Sequence, residues 1–121
     1  MPQAQKSVYY SELVETPLAE QVRAVVERLL DAGMGRPSCA AIGKRLCPSL
    51  TRRTLQRRLA IAGIQLTPFI TAIRLERVDA ARRAGATLRD ALAAGAYQCE
   101  ANYYRSRSRM RARAALPDSA G

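Results

Sequence analysis

At 121 residues and 48% hydrophobic content, the chain is long enough for a modest core and too apolar to be wholly disordered. It has no histidine, three cysteines without CxxC spacing and no glycine-rich phosphate loop, a composition that argues against a zinc site, a cofactor and an enzyme. Twenty basic residues against ten acidic ones give a net charge of +10, which points to a polyanionic partner.

The charge is not spread evenly. Residues 1–41 hold four basic and five acidic side chains (−1), residues 42–83 ten and two (+8), and residues 84–121 six and three (+3). Nucleic acid is favoured over a membrane surface, because the basic segments carry no large apolar face to insert. No apolar run is long enough for a transmembrane helix, and the first residues lack the basic start and apolar stretch of a signal peptide. The expected location is the cytoplasm, in association with the nucleoid. Cys39, Cys47 and Cys99 read as small semi-buried residues of a reducing compartment.

In chain order, residues 1–15 read as a flexible tail in which Val8, Tyr9, Tyr10 and Leu13 are the candidates for packing. Thr16-Pro17 opens a first helix, with Thr as cap and Pro at the first helical position. Leu18, Val22, Val25 and Leu29 form its apolar stripe, widened by Val26 and Leu30. Glycine and proline between Gly33 and Pro37 end it. Ser38 caps a short second helix, about Cys39 to Leu46, and Thr51 caps a third after the turn at Pro48-Ser49. In that third helix Leu55 and Leu59 stand four apart and share a face, while Arg52, Arg53, Gln56 and Arg57 point elsewhere. Such a helix suits a major groove: Arg bonds guanine O6 and N7 in pairs, and Gln does the same to adenine N6 and N7.

Gly63 closes the third helix, and Thr67-Pro68 starts a long fourth one with Phe69, Ile70, Ile73, Leu75, Val78, Ala80 and Ala81 as a broad apolar stripe. Gly85 ends it. Thr87 caps a fifth helix, Leu88 to Ala94, stopped by Gly95, and a last helix runs from about Glu100 into an arginine-rich stretch. There Arg105, Arg107, Arg109, Arg111 and Arg113 alternate with small residues, so they cover nearly every side of the helix. Tyr103, Met110 and Ala114 share one face with Arg107 in its middle. Residues 117–121 read as a disordered tail.

The helix order and its residues resemble the C-terminal DNA-binding region of the AraC/XylS family of bacterial transcription regulators. The likeness lies in Arg36-Pro37-Ser38, in Arg53-Thr54-Leu55-Gln56-Arg57-Arg58-Leu59-Ala60-Ile61-Ala62-Gly63, and in Arg74-Leu75-Glu76-Arg77 followed by Ala80-Ala81-Arg82-Arg83. It spans about Val22 to Leu116. It implies an all-α fold of two helix-turn-helix lobes of homeodomain-like type, at about 16–66 and 87–116, joined by a connecting helix at about 67–84. The two recognition helices would enter successive major grooves, roughly 34 Å apart. It places base contacts on Arg53, Gln56 and Arg57; in the last helix one reading is a second recognition helix with Asn102 and Arg105 near its start on DNA, and the others are a basic extension that orders only on a polyanion and a disrupted second unit that leaves a one-armed binder. Backbone contacts would come from Lys44, Arg45, Thr51, Arg52 and Arg58, joined by Arg107 and Arg109. Glu76 and Arg77 would hold local ion pairs and help dock the lobes.

Two departures from the family pattern stand out. The turn at Cys47-Pro48-Ser49-Leu50 is about two residues longer, and the second lobe is degenerate, with Arg107 where an apolar core residue belongs. The expected protein is a sequence-specific DNA-binding transcription regulator without an effector-sensing domain, a monomer on an asymmetric site of double-stranded DNA, working with RNA polymerase or another regulator. The alternative is a protein-interaction module or antagonist that keeps the fold but has lost specific DNA reading. RNA binding ranks third, since the arginine run suits RNA but no sheet of aromatic platforms accompanies it.

Overall fold

A computed structural model of the chain describes residues 16–115; the expectations for residues 1–15 and for Leu116 to Gly121 lie outside it. The fold is all-α, and no strand occurs among the described residues. The helices are α1 (Pro17–Asp31), α2 (Cys39–Arg45), α3 (Arg52–Ile61), α4 (Leu66–Arg83), α5 (Leu88–Ala94) and α6 (Glu100–Ala115). No single helix among the described residues is long and apolar enough to cross a membrane.

Local chemistry sets most of these boundaries. Thr16, Ser38, Thr51 and Thr87 each turn a side-chain oxygen back to the N–H three residues on, satisfying one donor that the first helical turn leaves orphaned. The fourth helix departs from expectation. It begins at Leu66 with Gln65 as its uncapped start, so Thr67 is not a cap. Pro68 then sits within the first turn, where its missing N–H would have had no helical partner anyway.

The apolar stripe of α1 is buried at Val22, Val25, Val26, Leu29 and Leu30, with Ala19 added, while Leu18 at its start is only partly buried. On α4, Phe69, Ile70, Ala72, Ile73, Leu75 and Val78 are all buried. They do not form one stripe, because α4 is contacted by α1, α5 and α6 and is covered on several sides. Ala80, expected in the stripe, is exposed. Buried side chains from all six helices join in one connected cluster.

Two arginines of α4 tie it to the end of α5 and the turn after it, and to the end of α1. Arg77 donates from Nε to the Ala94 carbonyl and pairs through Nη2 with Asp31 at the end of α1. Arg74 donates to the carbonyls of Gly95 and Ala96, both at 2.9 Å, and lies over the Tyr97 ring, its guanidinium carbon 3.8 Å from the ring centroid. Glu76, expected in a local ion pair, has none among the described residues, and its Oε2 is buried without a hydrogen-bond partner among them. Its neighbours one turn away on α4 are Ala72, Ile73, Asp79 and Ala80, none of them a cation.

Candidate functional site

The third helix follows α2 through the segment 46–51. Within it the Cys47–Pro48 bond is cis, the Ser49 hydroxyl donates to the Lys44 carbonyl, and the Leu50 N–H donates to the Gly43 carbonyl at 2.8 Å. Gly43 is required there, since a Cβ at this position would stand 2.5 Å from the Leu50 carbonyl oxygen. The close approach lets the turn double back so that α3 packs on α2. Leu55 and Leu59 dock α3 into the core at 0% and 3% exposure. Arg52, Arg53, Gln56, Arg57 and Arg58 are all exposed, as are Lys44 and Arg45 on α2. Thr51 is exposed too, but its hydroxyl is engaged with the N–H and the hydroxyl of Thr54.

The sixth helix resolves its alternating arginines into faces. Tyr103 and Met110 are buried, and Arg107 is half-buried between them. Ala114, expected on that apolar face, is exposed. Arg107 and Arg111 lie within electrostatic reach of Asp79 on α4. The Asp79 carboxyl is held above its ordinary pKa by burial and by Glu76, with Arg83, Arg107 and Arg111 pulling the other way. Arg107 is thus a seam residue between two helices and not a free surface cation. A second stripe, Asn102, Arg105, Ser106 and Arg109, follows helical spacing and lines a cleft of about 310 Å³.

That cleft is built by segments remote in sequence. The loop after α1 supplies Arg36, α4 supplies Arg74, and the turn before α6 supplies Tyr97. Gly35 brings the loop in: a Cβ there would meet the Ala96 carbonyl at 2.8 Å and the Arg74 guanidinium at 3.1 Å. Burial lowers the pKa of Arg74 from its usual value; Tyr97 opposes that shift and the positive charge of Arg36 adds to it. Burial raises the pKa of the Tyr97 hydroxyl, which faces Ser106 without a well-formed hydrogen bond. Tyr97 also meets Tyr103 edge-on at 5.7 Å.

Two further hollows continue from the cleft. One of about 290 Å³ shares Arg36, Arg74, Ser106 and Arg109 with it. The next, about 410 Å³, shares Pro37, Thr67 and Ile70 with the middle one and has Gln56 of α3 in its wall. One furrow therefore leads from Gln56 on α3 to Asn102 and Arg105 on α6. Arg53, Arg57, Lys44 and Arg45 stand outside it. No Asp or Glu lines any of the three hollows. Sequence reasoning did not place Arg36 at a binding surface and read the Arg74–Arg77 stretch as mainly structural, with a phosphate contact as its minor alternative; no local pattern relates the two arginines.

Cys39 is half-buried, its thiol directed at the Arg52 carbonyl at 3.7 Å and its pKa raised by burial, with Arg52 opposing. Cys47 and Cys99 are exposed, contrary to the semi-buried placement expected, because each lies in a segment between helices.

No family model matches the chain, and searches of curated proteins and of solved structures return no significant match. The class defined by fold and surface alone is a small all-α protein with a carboxylate-free furrow that is basic toward α6 and uncharged toward α3.

Proposed function

We propose that the protein is a sequence-specific DNA-binding transcription regulator of the type the AraC/XylS resemblance implies, acting on the nucleoid. The observation that carries the reading is a pair of exposed polar helix faces, each on a helix preceded by a shorter helix and a turn: Arg53, Gln56 and Arg57 on α3, and Asn102, Arg105 and Arg109 on α6, the latter three lining the carboxylate-free cleft. Duplex DNA offers phosphates to cations and base edges to Arg, Asn and Gln, so this chemistry matches its surface.

In this reading α3 is the first recognition helix, with Arg53, Gln56 and Arg57 toward bases, and α6 is the second, with Asn102 and Arg105. Lys44, Arg45, Arg52, Arg58 and Arg109 supply salt-sensitive backbone contacts. Arg107 leaves the contact set, because its place between Tyr103 and Met110 commits it to the α4 seam.

The test is selection of binding sites from random duplexes at about 0.15 M salt. An asymmetric motif with two informative blocks one duplex turn apart is expected. Arg57→Ala should relax preference in one block and Arg105→Ala in the other, each by about 1–3 kcal/mol of base discrimination. Arg52→Ala should weaken all sequences alike. No enrichment, with binding that vanishes as salt rises, would overturn the reading and favour a protein-interaction module.

A further inference from the structure

The cleft at the α6 end of the furrow differs from an ordinary basic surface in three ways. First, its charges converge. Arg36, Arg74, Arg105 and Arg109 arrive from a loop and two helices onto one concavity with no carboxylate in its wall. Arg36, Arg105 and Arg109 make no hydrogen bond or ion pair within the described residues.

Second, part of the charge is fixed in place before any ligand arrives. Two nitrogens of Arg74, Nε and Nη2, are held by the Gly95 and Ala96 carbonyls, and its guanidinium carbon sits over the Tyr97 ring, so the side chain that lines the cleft is already fixed. Arg36 is flanked by Gly35, wedged against Ala96 and Arg74, and by buried Pro37, so its backbone is set as well. A guanidinium that is already positioned loses less freedom on binding. Third, neutral donors accompany the cations: Asn102 and Ser106 face the same space.

Four gathered cations without a counter-charge repel one another, and an anion among them removes that cost. At about 310 Å³ the cleft lies at the small end of ligand pockets. It suits a compact multivalent anion whose oxygens accept from several directions, which is the geometry of a phosphoryl group.

We infer that the Arg36–Arg74–Arg105–Arg109 cleft is a built phosphate-binding site. Its phosphate comes either from a duplex backbone, in which case it rests on the DNA reading above, or from a free phosphorylated small molecule. In the first case the cleft clamps a phosphate beside the second recognition helix. In the second the ligand occupies Asn102, Arg105 and Arg109 and competes with DNA for them.

The experiment is an amide NMR titration of the full chain with inorganic phosphate and pyrophosphate at about 0.15 M sodium chloride, with acetate as the control anion. Saturable shifts are expected around Gly35, Ala96, Asn102 and Ser106, with acetate producing none. Arg36→Gln and Arg109→Gln should each weaken binding by about tenfold, and Arg53→Gln by less than about twofold. Shifts that grow without saturating, or an Arg53→Gln loss equal to that of Arg36→Gln, would overturn the site.

Duplex binding by the same variants then assigns the source. If Arg36→Gln also weakens duplex binding with base preference intact, the phosphate is the duplex backbone's. If it leaves duplex binding unchanged while abolishing phosphate saturation, the ligand is a free phosphorylated molecule. Failure to enrich any site from random duplexes counts against base reading alone and leaves a saturable cleft standing.

Discussion

The helices α3 and α6 stand at corresponding places, each after a short helix and a turn, yet they dock in different ways. In α3 charge and apolarity separate cleanly. Leu55 and Leu59 alone enter the core, and every arginine faces outward. In α6 the buried pair Tyr103 and Met110 has Arg107 between them, so a cation must be housed in the seam. It is housed beside Asp79, itself only partly buried and pushed toward its neutral form. A short helix can thus be attached either by segregating its polar groups or by placing an opposite charge across the seam. The second route is weaker, because partly exposed ion pairs contribute little and burial of either partner costs free energy.

The largest test of that contrast is truncation of one docking side chain from each helix. Leu55→Ala should cost about 3 kcal/mol in chemical denaturation, and Met110→Ala, where the side chain is flexible and slightly less buried, about 2 kcal/mol. Equal or inverted losses would break the comparison. Hydrogen exchange should add that Met110→Ala loosens α6 amides while α3 amides keep their protection.

Next in size is Gly43→Ala. Ala for Gly within a helix normally stabilises by about 1 kcal/mol. Here the added methyl runs into the Leu50 carbonyl, so the sign should reverse, to a loss of about 1–3 kcal/mol. A gain in stability would show that the turn before α3 is free to shift.

The corresponding turn before α6 carries strain instead. Ala96 holds a left-handed backbone at φ 60°, while Gly95, which ends α5 as expected, does so at an ordinary φ of −94°. Ala96→Gly should therefore raise the thermal midpoint, by up to about 1 kcal/mol of stability.

The smallest effect is expected at Asp79. Its carboxyl holds a proton more tightly in the folded chain than its ordinary pKa of 3.8 allows. Its contribution is therefore complete below that pH and is lost as pH rises through the raised, folded-state value. At neutral pH its ionised form is a small cost. Asp79→Asn should leave stability unchanged or raise it by less than about 1 kcal/mol, and should flatten the pH dependence above 3.8. A loss above about 1 kcal/mol would mean that Asp79 anchors α6 through its arginines.

Much of the fold was legible because it is local. Four capping residues, the Val22-to-Leu30 stripe of α1 and the Leu55–Leu59 pair follow from side-chain chemistry within a few residues, and the structure places them as the pattern requires. The start of α4 differs from expectation because Thr67-Pro68 imitates the Thr16-Pro17 signal, whereas the helix already begins at Leu66 with no side-chain cap. The role of Arg107 and the absence of an ion pair at Glu76 among the described residues were not legible, since both depend on which side of α4 meets α6.

The candidate site divides the same way. By itself the sequence determined that α3 would expose Arg53, Gln56 and Arg57, because helical periodicity leaves those side chains opposite two leucines. Only the tertiary structure decided that Arg36, Arg74, Arg105 and Arg109 share one cleft. These four positions span 73 residues, and no local rule relates them. They meet because Gly35 allows a loop to lie against Ala96, and because Arg74 is held by the turn that launches α6.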